Sequence, residues 1–154
     1  MYGVSKITSE QNIMLVTFPD AKYSARSLAE HLQVFADNNI VLDMICQSAP
    51  HGSKTDFSFT TSYDNFTTVM RTIPQALVGR DEPAPFISGG YVKINLFGED
   101  MVTSCGVAAR ALAALAKKGI EVNLITTSDL DISLLIRAEN EDAALEVLKE
   151  AYQL

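Results

Sequence analysis

The chain has 154 residues, 47% hydrophobic and 20% charged, with a net charge of −7, which marks a folded protein of one large domain or two of roughly 75 residues. The acidic balance and the lack of any basic cluster exclude binding along a nucleic-acid backbone. No apolar run approaches the roughly 20 residues that span a bilayer, and the start Met1-Tyr2-Gly3-Val4 lacks the basic-then-apolar signal pattern, so a cytoplasmic protein without a membrane partner is expected.

In chain order, residues 3–8 form an extended segment with strand-like alternation. Met14, Val16 and Phe18 then alternate, the period of a half-buried strand. Leu28, Leu32, Phe35 and Ala36 are spaced as one helix face, which stops at Asn38-Asn39, residues that tolerate the left-handed conformation of a helix end. A second strand over 40–48, a hairpin loop at His51-Gly52-Ser53-Lys54, a third strand over 55–61 and a second helix over 63–73 follow. After the turn-rich Gly79-Arg80-Asp81-Glu82-Pro83, a fourth strand is predicted at 84–88.

The same order then repeats. Val92, Ile94 and Leu96 alternate; Val107, Ala108, Ala111, Leu112 and Leu115 are helical and stop at Gly119. A strand over 120–128, a tight turn at Ser128-Asp129-Leu130, a strand over 131–137 and a helix over 141–152 complete the copy. A shift of 80 positions sets Ile40, Leu42 and Ser48 on Ile120, Val122 and Ser128, and Ser24, Leu32 and Ala36 on Ser104, Leu112 and Ala116. A repeat of this kind settles the architecture. The expected class is α+β, with two ferredoxin-like βαββαβ repeats. The second copy ends on its helix and has no fourth strand, so residues 3–8 are expected to cross and close it. The domains are then 10–88 for the first repeat, and 89–154 plus 1–9 for the second.

Catalytic machinery is not expected. No phosphate-cradling loop or nucleophile elbow is present. His31, mid-helix, and His51, in a polar loop, are read as structural residues. Cys46 and Cys105 are isolated thiols with no metal-ligand spacing, so neither metal nor cofactor is predicted. The informative stretch runs from Gly98 to Ala109, Gly-Glu-Asp-Met-Val-Thr-Ser-Cys-Gly-Val-Ala-Ala. It joins a strand to a helix start, where free backbone N–H groups and the helix dipole favour a carboxylate, and Gly106 permits close approach to the backbone. Asn123 and Thr127-Ser128-Asp129 offer acceptors for an ammonium. The competing role for Ser104 is that of an ordinary helix N-cap.

The form G-x-x-M-x-x-S-x-G-V-A-A over 98–109, followed by Gly119-Ile120-Glu121-Val122-Asn123-Leu124-Ile125-Thr126-Thr127-Ser128, resembles the ACT-domain pair at the C-terminus of aspartate kinases. Residues 39–48 and 55–60 resemble that family's first ACT repeat, so the likeness covers nearly the whole chain. It implies a regulatory unit that binds lysine or threonine, a homodimer through the ACT repeats with pockets between ACT domains, and a kinase chain as possible partner. By position it implies an effector pocket of Met101, Ser104, Gly106, Val107, Ala108, Val122, Asn123, Ser128 and Asp129, with Asp43 and Gln47 as the contact positions of the first repeat. The chain departs from the pattern in lacking the kinase domain, in carrying Arg26 where the family has glycine, which crowds the first repeat's carboxylate site, and in carrying Asn123 in place of an acidic residue. The remaining alternatives are a small regulatory subunit or fragment of an active kinase, and a ligand-free dimerisation scaffold.

Overall fold

The computed structural model describes residues 2–154. They divide into two compact units, a contiguous one, Asn12–Gly89, and a split one in which the residues up to Gln11 join Gly90–Leu154.

In the contiguous unit, β1 (Lys6–Lys22) contributes its second part, followed by α1 (Ala25–Asp37), β2 (Ile45–Gln47), β3 (Lys54–Ser62), α2 (Phe66–Leu77) and the start of β4 (Phe86–Phe97). The strand order is β2-β3-β1-β4. Antiparallel register sets Met14, Val16 and Phe18 opposite Thr61, Phe59 and Phe57, with a bulge between Phe18 and Ala21. Alternation places those apolar side chains on one face, under the helices. There Phe18 stacks on Phe57 at 4.7 Å and Phe35 meets Phe59 edge-on at 4.9 Å. Each such side chain, fully buried, stabilises the fold by roughly 1.5–3 kcal/mol. Asn39 ends α1 at φ 57°, as its residue type foretells.

His31 is fully buried between Phe18 and Phe57. Its Nδ1 faces the Ser27 carbonyl at 2.8 Å and its Nε2 faces Glu82 Oε2 at 2.9 Å. Glu82 Oε1 also accepts from the Lys22 backbone N–H at 3.2 Å. One carboxylate thus ties the segment before β4 to α1 and to the end of β1, which gives His31 the structural role expected of it.

The split unit holds the remainder of β4, then α3 (Val107–Ala116), β5 (Leu124–Thr127), β6 (Asp131–Arg137) and α4 (Glu141–Tyr152), in the order β1-β4-β6-β5. Val92, Ile94 and Leu96 sit opposite Ile136, Leu134 and Ile132; these six join Val4, Leu115, Leu148 and Tyr152 in the core. The first residues do close this repeat, since the Ser5 N–H donates to the Phe97 carbonyl at 2.8 Å. Gly98 makes the crossing possible. It is buried, and a Cβ there would run into the Gly3 carbonyl. Two ferredoxin-like repeats, the second completed by the N-terminal strand, are therefore the fold.

Several local expectations change, and the strands expected over 40–48 and 120–128 shorten to Ile45–Gln47 and Leu124–Thr127. Residues 6–8 of the first expected segment and the Met14–Phe18 alternation belong to one 17-residue strand, β1, that runs on through Asn12 at φ 62°. Residues 86–88 and 92–96 likewise fuse into β4, across Gly89 and Gly90. Helix α2 continues past Pro74 to Leu77, because the buried Thr72 and Ala76 anchor both sides of the proline against the core and override its cost.

Candidate functional site

The loop between β4 and α3 is held by backbone hydrogen bonds. The Gly98 N–H is held by the Leu130 carbonyl at 2.9 Å, a 3-10 turn over Glu99–Val102 follows, and the Ser104 N–H returns to the Met101 carbonyl at 3.2 Å. Gly106 then adopts φ 78° as the N-cap of α3, and no side chain caps the helix. A left-handed N-cap without a side-chain oxygen is a glycine's position, and it leaves first-turn donors for a ligand. Ser104 is therefore not the cap.

Facing this start is the β5–β6 hairpin. Met101, Val102, Ser104, Val107 and Ala108 form one wall of a groove of about 360 Å3, and Thr127, Ser128, Asp129 and Ile132 form the other. That volume falls within the ~300–1,000 Å3 of small-molecule clefts. Ser128 Oγ accepts from the N–H groups of Leu130 and Asp131 at 3.2 and 3.1 Å. Its lone pairs thus serve the turn, and the Asp129 carboxylate beside it is exposed. The groove carries positive helix-end potential on one wall and a negative charge on the other.

Of the residues singled out in the sequence, the groove brings together Met101, Ser104, Val107, Ala108, Thr127, Ser128 and Asp129. Gly106 instead opens onto an adjoining cleft of about 640 Å3 beside Cys105, Arg110 and Lys117. Val122 packs half-buried on the core of the split unit. Asn123 is exposed, with its backbone N–H on the Leu135 carbonyl at 2.7 Å. Asp43 and Gln47 lie in the contiguous unit, both exposed; Gln47 is paired with Phe57, and the Asp43 N–H donates to the Thr60 carbonyl at 2.9 Å. The sequence did not single out Ile132, 5% exposed, although the alternation of β6 aims it inward.

The first turn of α3 is anchored from behind. The Tyr152 hydroxyl donates to the Val107 carbonyl at 2.6 Å, and burial pushes the phenol up to about 12, against an opposing pull from Arg110. Tyr152 therefore stays a donor across the physiological range.

In the contiguous unit the equivalent helix start is closed. Ser24, in extended conformation, caps α1 by accepting from the Ser27 N–H at 3.4 Å. Arg26 lies exposed in the first turn.

Comparison with known proteins bears on the family and the fold. The family model of the ACT domain matches residues 94–152. An aspartokinase of Mycolicibacterium smegmatis is 32% identical over 155 residues, covering 99% of this chain and 36% of its own length. The chain spans about a third of the length of the curated relatives it matches. A crystal structure of aspartokinase alpha and beta subunits superposes with a TM-score of 0.86 at 27% identity, covering 98% of this chain and 99% of that one. The regulatory subunit of aspartate kinase from Thermus flavus shares the fold, with a TM-score of 0.88 at 22% identity over 97% of this chain and 99% of that one. Family model, sequence and fold thus converge on one conclusion: residues 94–152 form an ACT domain, and the chain resembles, in both repeats, the aspartokinases that it matches.

Proposed function

We propose that the chain is an amino-acid-sensing regulatory module, and that lysine or threonine binds in the groove between the start of α3 and the β5–β6 hairpin. The observation that carries this is the start of α3 without a side-chain cap, whose Val107 and Ala108 line the groove together with Asp129. The backbone donors take the carboxylate of a zwitterion and Asp129 its ammonium. The effector shifts the module's conformation only as far as it binds one arrangement better than another.

Calorimetry and thermal melting with lysine, threonine and a panel of other amino acids test this. An effector at 100 times its Kd adds about 2.7 kcal/mol of stability. Asp129→Asn is expected to weaken binding by about 1.5–3 kcal/mol through loss of a charged hydrogen bond. If no amino acid moves the melting temperature, the sensing function is wrong and a ligand-free dimerisation scaffold takes its place.

The module acts, in this proposal, on an aspartate kinase catalytic chain and forms a cytoplasmic homodimer through its ACT repeats. The near-complete mutual coverage with a chain of the aspartokinase alpha and beta subunits supports a separate regulatory subunit. Co-purification with a kinase chain and sedimentation of the isolated module check the two assemblies. Among the described residues no helix is long and apolar enough to cross a membrane.

A further inference from the structure

The fold brings together three side chains far apart in sequence. The bulge of β1 after Phe18 turns out Asp20 at φ 50°. The hairpin loop between β2 and β3, closed by a bridge between His51 and Lys54, brings His51 onto it, with His51 Nε2 3.0 Å from Asp20 Oδ1. From β3, Asp56 Oδ1 accepts the Asp20 backbone N–H at 2.8 Å. One ligand atom from each of the three lies within 4.8 Å of the other two.

We propose that Asp20, His51 and Asp56 form a binding site for a divalent transition-metal ion of the zinc type. Two carboxylates and one imidazole provide oxygen and nitrogen donors of the kind zinc takes at about 2.0–2.2 Å. The imidazole is what separates this set from an acidic surface cluster. Magnesium and calcium are hard ions that select oxygen, whereas nitrogen donors select zinc and its neighbours. Three protein ligands leave a coordination position for water.

The charge balance suits a cation. Two carboxylates face one imidazole, with one ligand atom from each within reach of a single ion. On binding, the ion replaces the proton between Nε2 and Oδ1, which passes to Nδ1 or to solvent. His51 and Asp20 are about half exposed, so the ion can enter from water without unfolding the unit. Once bound, it joins the β1 bulge, the hairpin loop and β3 within the contiguous unit. The inference stands apart from amino-acid sensing, since none of the three residues lines the effector groove.

The test is a titration of zinc chloride into the full chain in a non-chelating buffer, followed by calorimetry and by the His51 ring signals in NMR. The expected result is one saturable equivalent with a Kd below about 1 mM, a shift of the His51 signals, and a higher melting temperature. His51→Ala and Asp20→Asn are each expected to weaken binding about 10-fold or more; asparagine tolerates the left-handed backbone at position 20. Cys105→Ser, which removes the exposed thiol, should leave binding unchanged. Magnesium chloride should bind at least about 10-fold more weakly than zinc. No saturable binding, binding indifferent to both cluster variants, binding abolished by Cys105→Ser, or equal affinity for magnesium would each overturn the site.

Discussion

The two repeats begin their first helices in opposite ways. Ser24 folds its own oxygen back onto the first turn of α1, whereas α3 starts from a glycine in the left-handed region and takes no side-chain cap. A cap of the first kind satisfies the backbone internally and contributes about 0.5–2 kcal/mol. A start of the second kind gives up that stabilisation and keeps the donors for something that arrives from solution. The same supersecondary unit, used twice, is thus finished as a structural element in one place and left open in the other.

The sharpest way to break this comparison is at the closure of the split unit. Gly98→Val drives a side chain into the Gly3 carbonyl and is expected to destabilise that unit by about 3 kcal/mol. Denaturant unfolding should then show two transitions, with that of the contiguous unit unmoved. A single unchanged transition would mean that the crossing is dispensable.

Next in size is Tyr152→Phe, which removes the phenol's hydrogen bond to the Val107 carbonyl and is expected to cost about 1–3 kcal/mol. Its pH dependence has a definite sign. A phenol at about 12 in the folded protein, against about 10 in an unfolded chain, stabilises fully below pH 10 and loses that contribution as pH rises through 12. Alkaline unfolding of the parent should fall through this window, and Tyr152→Phe should lack that component.

The smallest effects come from the two serines. Ser24→Ala is expected to cost about 0.5–1 kcal/mol, low in the capping range because its bond is long. Ser104→Ala, at the same place in the repeat, should leave stability within about 0.5 kcal/mol while weakening amino-acid binding. Equal losses at both positions in thermal melts would erase the distinction between a closed and an open helix start.

The repeat, its helices and the crossing strand were legible because hydrophobic period and an 80-residue shift survive in the sequence itself. Strand continuity was less so. Asn12 and the pair Gly89-Gly90 read as breaks in local chemistry, yet β1 and β4 run through them, held by neighbours that alternation cannot reveal. Pro74 misleads for the same reason, because burial of Thr72 and Ala76 decides the helix. At the groove, the loop residues were legible from the glycine and serine spacing of 98–109. The turn that occupies Ser128 and the place of Asn123 outside the groove's lining depend on hairpin register, and no single residue announces that.

Closing one repeat with a strand made first has a price in time. Ser5 waits for Phe97, 92 residues later, an interval of about 5–20 s at ordinary rates of synthesis. The contiguous unit can be complete by then, while residues 5–11 trail as a strand without its neighbour. Lys6 and Glu10 are exposed on that segment, charges of the sort that keep a nascent edge from pairing with other emerging chains.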